Sequence, residues 1–119
     1  MNKYNTEQEQ LTAVKNRKLS IKYIENPSEK VQLAAVENNG RAIQHIIKNP
    51  SEKVQLAAVK NDGSAIYYIG NPSEKVQLAA VNNERYAIEY IRNPSEKVKL
   101  ILKMNKLEQL IMFNIMIKS

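Results

Sequence analysis

The sequence repeats itself at a nearly constant interval, and this period constrains the fold more than any other feature. The string Asn-Pro-Ser-Glu-Lys-Val begins at Asn26, Asn49, Asn71 and Asn93, at spacings of 23, 22 and 22 residues. The first three copies continue identically through Gln-Leu-Ala-Ala-Val. Periods of about 20 to 50 residues are typical of proteins in which each unit buries its apolar face against its neighbours.

Each unit has the pattern of two short helices joined by a turn. In the first complete unit, Asn26 is predicted to cap the first helix, with Pro27 as first helical residue and Glu29 as capping-box partner. That helix is expected over about 27–38, with apolar side chains on two sides, which indicates burial from both. The second helix, around 42–46, is too short to be stable without its neighbours.

These patterns predict an all-α chain of about five two-helix repeats that form a single domain. The outer two units depart from the common sequence, as is expected of capping repeats, because their outer faces meet water. The predicted units are an N-terminal capping repeat (1–25), three full repeats (26–48, 49–70 and 71–92) and a divergent C-terminal capping repeat (93–119).

An asparagine occupies the same turn position in every unit: Asn16, Asn38, Asn61, Asn83 and Asn105. Asparagine tolerates the left-handed backbone conformation, and its amide can bond the exposed carbonyl groups at a helix C-terminus. The alternative interpretation is that these asparagines form a row that contacts a ligand. We predict a hydrogen-bond ladder between repeats, because such a ladder explains an asparagine in every unit.

Residues 49–69 read NPSEKVQLAAVKNDGSAIYYI and resemble tandem helix-pair repeats of bacterial and bacteriophage proteins of unknown function. In plan they are also similar to leucine-rich-repeat-variant and HEAT-like α-solenoids, although each unit here has only about 22 residues. The resemblance extends over about residues 6–113. It implies a right-handed α-α superhelix and carries over no catalytic residue. The tail from Ile101 onward departs from the pattern.

Composition and motifs predict a protein that is not an enzyme. The 119 residues include no cysteine and one histidine, His45, which takes the place of Tyr23, Tyr68 and Tyr90 in the other units. A zinc site needs three or four nitrogen, sulfur or oxygen ligands. Neither a Gly-rich phosphate loop nor a serine-nucleophile elbow occurs. We therefore expect no cofactor and no metal.

The sequence also predicts a cytoplasmic protein without a membrane segment. It lacks the run of about 18 apolar residues that a membrane-spanning helix requires. A secretory signal pattern is not recognisable at the N-terminus, and the lack of cysteine fits a reducing compartment. If the chain is encoded by a phage, the host cytoplasm is the expected location.

Lysines account for the main electrostatic pattern in a chain of net charge +6. Each repeat contributes one lysine that directly follows a glutamate, and these lysines are expected to form a row along one face. The adjacent glutamates are expected to neutralise most of the charge of this row. The alternative is a nucleic-acid-binding repeat protein, in which lysine rows and the basic C-terminal third neutralise phosphates. The residues of this alternative are Lys30, Lys53, Lys75, Lys97, Lys99 and Lys103.

The positions that differ between otherwise identical units lie in the turn and the second helix. A repeat protein can keep its frame while its contact surface changes, and tyrosine and arginine are enriched at binding hot spots. Neutral drift would also produce such differences, and some rings could fill gaps between repeats instead of binding. The predicted partner-binding residues are Tyr67, Tyr86, Tyr90, Tyr68, His45, Tyr23, Arg41, Arg85 and Arg92.

The predicted function is a protein–protein interaction module whose protein partner the sequence does not identify. If the resemblance to phage proteins is meaningful, an inhibitor or adaptor that blocks a host protein, such as a defence nuclease, is a plausible case. Such a small chain would act by occupying, bridging or blocking its partner.

The C-terminal segment is strongly apolar and is predicted to mediate self-association, for example in a homodimer. A monomeric cap should be polar outside, and one short helix cannot turn all of these side chains inward. The residues expected to stay exposed for this contact are Met112, Phe113, Met116 and Ile117.

Overall fold

The computed structural model describes residues 4–17, 20–104 and 106–118, and these residues contain helices and connections but no strand. The predicted all-α class is thereby confirmed for this part of the chain. The α-helices are α1 (Glu7–Lys15), α2 (Glu29–Asn38), α3 (Glu52–Asn61), α4 (Glu74–Asn83), α5 (Glu96–Leu102) and α6 (Lys106–Lys118). The 3-10 helices are η1 (Ile21–Tyr23), η2 (Gly40–His45), η3 (Gly63–Tyr68) and η4 (Arg85–Tyr90).

The α-helices of the repeats begin two residues later than the sequence analysis predicts. Ser28, not Asn26, caps α2, because its Oγ accepts a hydrogen bond from the backbone N–H of Val31 at 3.3 Å. Glu29 is therefore the first helical residue, where its charge complements the helix dipole, and the capping-box prediction is wrong. Asn26 lies in the connection with φ of 56°. The same serine cap recurs at Ser51, Ser73 and Ser95.

The second element of each full unit is a 3-10 helix. In η2 the backbone N–H of Ala42 donates to the carbonyl oxygen of Asn39 at 2.9 Å, and the side chain of Asn39 caps the helix. With about three residues per turn, side chains three apart lie on the same side. Ile43 and Ile46 are three apart, and both are buried. The isoleucine spacing thus fits the tighter helix.

The helices form two layers around a shared core. Successive α-helices from α1 to α4 pack side by side, and η2, η3 and η4 pack beside one another and against the α-helices. The core consists mainly of valines and alanines of the α-helices and isoleucines of the 3-10 helices. The molecule is elongated, with extents of 53 × 23 × 22 Å. The final helix, α6, packs on α4 and α5.

The asparagine ladder between repeats is confirmed for Asn38, Asn61 and Asn83. Asn38 donates from Nδ2 to the carbonyl oxygens of Val14 and Lys15 in α1. Asn61 and Asn83 donate in the same way to carbonyl oxygens one helix back. None of the three is left-handed, because positive φ among the described non-glycine residues occurs only at Arg17 and Asn26. Asn105 lies outside the described residues.

Candidate functional site

The tyrosines of η3 and η4 lie on the surface of the 3-10 layer. Tyr67 is 65% exposed, Tyr86 is 53% exposed, and Tyr68 and Tyr90 are each 40% exposed. Ile66 of η3 is buried in the core, and the tyrosines that follow it point outward. All four rings are therefore accessible at the surface, although they also contact neighbouring side chains.

The rings of η3 and η4 contact one another across the boundary between two units. The centroid of Tyr67 lies 5.1 Å from that of Tyr68 and 5.6 Å from that of Tyr90. Both pairs are nearly perpendicular, at 87° and 86°. Edge-to-face pairs of this kind contribute about 0.5–1.5 kcal/mol beyond the burial of their area. The rings therefore support one another in defined positions while they remain accessible.

Arg41 is held beside these rings by residues of the following unit. Its Nε lies 3.0 Å from Oδ2 of Asp62, and its Nη2 donates a hydrogen bond to Oγ of Ser64 at 3.1 Å. The hydrogen bond from Ser64 to Asp62 lowers the pKa of the Asp62 carboxyl, and Arg41 adds to this effect. In turn, Asp62 raises the pKa of Arg41, to which Tyr68 and Tyr86 make smaller contributions.

A shallow pocket lies between the guanidinium and the rings. It has a volume of about 210 Å³. Ligand pockets for small molecules usually have volumes of about 300–1,000 Å³. This pocket is therefore of the size that receives one side chain of a partner. Its lining residues are Arg41, Ser64, Tyr67, Tyr68 and Tyr90.

Tyr86 stands at the edge of this group, next to a carboxylate. Glu84 raises the pKa of the Tyr86 hydroxyl, and burial and the nearby Tyr90 add to this effect. Glu84 takes the position that Asn39 and Asp62 hold in the earlier units, but its side chain does not cap η4. One oxygen of its carboxylate, Oε2, is buried without a hydrogen-bond partner in the described part of the chain.

The remaining predicted partner-binding residues do not join this group. Tyr23 is exposed at the other end of the layer, with Nζ of Lys22 5.0 Å from its ring centroid. His45 is half-buried and lines a separate pocket of about 380 Å³. Arg85 donates to the carbonyl oxygen of Leu102, so its guanidinium is engaged within the fold. Arg92 is exposed.

One exposed residue near His45 escaped the sequence analysis. Ile47 is fully exposed and lines the same pocket as His45 and Ile46. It is the additional residue that makes the first spacing 23 residues instead of 22. The longer first spacing was thus the sequence feature that could have identified Ile47.

Two of the lysines proposed for nucleic-acid binding contact glutamates. Nζ of Lys97 lies 3.6 Å from Oε1 of Glu74 in the preceding α-helix, and Nζ of Lys99 lies 3.3 Å from Oε1 of Glu96. The pairing of Lys97 thus crosses between units and does not involve the glutamate beside it. Exposed pairs of this kind contribute about 0–1 kcal/mol. The other residues of this alternative, Lys30, Lys53, Lys75 and Lys103, are exposed.

The C-terminal helix turns a different face outward than the sequence analysis predicts. Phe113 is only 6% exposed, and Met112, Met116 and Ile117 are partly buried against the core. The expectation that these four remain exposed is wrong, because their spacing along α6 places them on one side of the helix. The exposed apolar residues of α6 are Leu107, Leu110, Ile111 and Ile115.

A comparison with protein-family models, with curated proteins and with solved structures finds no match to this chain. Within the described ranges, no helix combines the length and apolar character needed to cross a membrane. No group of three or more His, Cys, Asp or Glu side chains in the same ranges is arranged to hold a metal ion.

Proposed function

We propose that this protein is a short right-handed α-solenoid of about five two-helix units that binds another protein through its 3-10 layer. The contact would be made by Arg41, Tyr67, Tyr68, Tyr86 and Tyr90, which we call the tyrosine–arginine surface. Its support is the edge-to-face arrangement of exposed tyrosines beside an arginine held by Asp62. The sequence repeat and the side-by-side packing of successive helices support the solenoid.

The chemistry of this surface suits a protein partner. Tyrosine offers a large rigid contact area together with a polar hydroxyl, and arginine and tyrosine are enriched among residues that dominate binding energy. Binding is weakened by the ordering of mobile side chains. Here the rings support one another and the guanidinium is bound to Asp62 and Ser64, so less ordering remains for the moment of binding.

The pocket between Arg41 and the rings gives this surface a specific contact point. A partner residue that enters it would meet the guanidinium on one side and tyrosine rings on the other. Acidic or aromatic side chains satisfy both surroundings, since they can accept from or stack on these groups. A module of this kind acts by occupying, blocking or bridging its partner, as an inhibitor or adaptor does.

The test is an affinity pull-down from the native cell lysate, with nuclease treatment and mass spectrometry. The wild-type chain is compared with the triple variant Tyr67→Ala, Tyr86→Ala, Tyr90→Ala and with Tyr23→Ala, an exposed tyrosine outside the surface. We expect a protein partner that survives nuclease, is retained by Tyr23→Ala and is lost with the triple variant. Circular dichroism of each variant should retain the helical spectrum.

Two results would overturn this proposal. Retention of the partner by the folded triple variant would show that the tyrosine–arginine surface does not bind it. Loss of all captured protein on nuclease treatment would favour the nucleic-acid alternative. In that case binding to short duplexes should weaken steeply with salt, because phosphate contacts release counterions.

A further inference from the structure

Helix α6 packs on α4, whose apolar side chains come from repeated sequence. The segment Val-Gln-Leu-Ala-Ala-Val is identical in α2, α3 and α4. Leu78 of α4 is 5% exposed, whereas its counterparts Leu33 of α2 and Leu56 of α3 are only half-buried. At this end of the described chain α6 packs on α4 and α5, and its Phe113 is buried.

The corresponding leucines of the preceding helices line an open groove. This groove of about 590 Å³ lies between α2 and α3, and every residue that lines it belongs to these two α-helices. Leu33, Leu56 and Ala57 supply its apolar part, and Glu37 and Lys60 are among its polar residues. Leu33 and Leu56, the counterparts of Leu78, therefore line a groove that the described part of the chain leaves open.

The outer side of α6 is an apolar stripe of suitable size. Leu107, Leu110, Ile111 and Ile115 are between 52% and 69% exposed and follow helical spacing. We call these four residues the α6 stripe. Monomeric proteins rarely expose large contiguous apolar patches, and such patches mark contact sites. A helix of 13 residues is about 20 Å long, so the stripe could fill a groove between two neighbouring helices.

We propose that the α6 stripe of one molecule binds in the α2–α3 groove of a second copy of the same chain. The fold itself points to this occupant, since α6 already packs on α4, whose sequence the groove helices repeat, and its Phe113 joins the common core. The stripe and the groove are different surfaces, so each bound copy keeps one of them free. Such a heterologous contact extends head to tail instead of closing as a symmetric dimer.

This association leaves the tyrosine–arginine surface accessible, because that surface belongs to the 3-10 layer and the groove to the α-helical layer. The proposal is therefore independent of the proposed function. If both hold, each assembled copy presents one tyrosine–arginine surface, and a multivalent partner would be bound with increased avidity.

The test measures mass against concentration by light scattering or sedimentation for the full-length chain and three variants. The stripe variant carries Leu110→Glu with Ile111→Glu, and the groove variant carries Leu33→Glu or, if that chain loses its helical spectrum, Ala57→Glu. Tyr23→Ala, at an exposed tyrosine outside both surfaces, is the control. We expect the wild type and Tyr23→Ala to exceed the mass of a dimer as concentration rises. Each groove or stripe variant should associate at least tenfold more weakly, since a charge would be buried unpaired.

Mixing the variants makes the test specific to a head-to-tail contact. The stripe variant keeps an intact groove and the groove variant keeps an intact stripe, so an equimolar mixture should form a 1:1 heterodimer and nothing larger. Monomers at every concentration of the wild type would overturn the proposal. So would self-association that stops at a dimer and survives the groove substitution, because that result indicates an α6–α6 contact.

Discussion

A Cβ atom placed on Gly63 would lie 2.5 Å from the carbonyl oxygen of Ala80 in the next α-helix. Gly40 stands in the same relation to Ala58. None of the glycines has positive φ, so clearance and not backbone conformation requires glycine at these two positions. The close approach allows the backbone N–H of Gly63 to donate to Oδ1 of Asn83 at 2.7 Å. The hydrogen bond of the Asn83 side chain thus depends on the close approach that only glycine at position 63 permits.

Substitution Gly63→Ala should therefore destabilise the protein by about 1–3 kcal/mol, because the α4 backbone must shift to admit the methyl group. The matched control is Gly70→Ala, where no atom lies within 4 Å of the added Cβ. That variant should change the free energy of unfolding by less than about 1 kcal/mol. Urea unfolding followed by circular dichroism measures both, and equal effects would contradict the clearance argument.

The Asn61 side chain connects two units through both of its polar atoms. Its Oδ1 accepts from the backbone N–H of Gly40 at 2.7 Å, and its Nδ2 donates to the carbonyl oxygen of Glu37 at 3.0 Å. We expect Asn61→Ala to cost about 1–3 kcal/mol, since both backbone groups lose their partner. The control is Asn82→Ala on the exposed surface of α4, which makes the same change in helix propensity. The unfolding free energies of the two variants should differ by at least about 1 kcal/mol.

The repeat period and the apolar pattern were sufficient to predict the helical class and the asparagine ladder. The helix starts were misplaced, because Asn26 and Ser28 are both good caps and the pattern does not decide between them. The type of the second helix was missed as well. Ile43 and Ile46, three apart, fit either an α-helix or a 3-10 helix, and only backbone hydrogen bonds distinguish the two.

The candidate surface was predictable in its residue types but not in its grouping. Tyr67 and Arg41 were identified from the differences between units and Tyr90 from the aromatic position that the units share, yet only the structure shows that they meet at one boundary. On α6, apolar residues occur on more than one side of the helix, so their spacing alone does not decide which side packs inward, and the placement of Phe113 depends on how α6 packs against α4. The junction between α4 and α5 also differs from the two before it. There Arg85 takes the position of Gly40 and Gly63, and its side chain donates to the carbonyl oxygen of Leu102.

The ion pair between Arg41 and Asp62 predicts a specific pH dependence. Ser64 and Arg41 lower the pKa of the Asp62 carboxyl below its ordinary value of 3.8. A group with a lowered pKa in the folded state stabilises the fold above its unfolded pKa, and this contribution is lost as pH falls through the folded pKa. Asp62→Asn should therefore cost up to about 1 kcal/mol near pH 6, where the pair is charged but partly exposed to solvent.

This cost should decline as pH falls from about 4 through the lower folded pKa of Asp62, because the carboxyl is protonated first in the unfolded chain and only then in the folded one. Urea unfolding of both proteins at several pH values between 6 and 3 gives the difference directly. Asn39 holds the same position in the preceding unit and caps η2, so the substituted asparagine should still cap η3. A difference that stays constant across this range would mean that Asp62 has the same pKa folded and unfolded.

Truncation of side chains on the two sides of α6 should cost very different amounts of stability. Phe113 is buried, so Phe113→Ala should remove about 3–5 kcal/mol of stability from the contact of α6 with α4 and α5. Amide hydrogen exchange should then increase throughout α6 and in the segment around Leu78. Ile111→Ala is the matched control, because Ile111 is 52% exposed and its truncation should cost less than about 1 kcal/mol. If Ile111→Ala instead destabilises the monomer as much as Phe113→Ala, then α6 is rotated and its stripe is not free to bind a second copy.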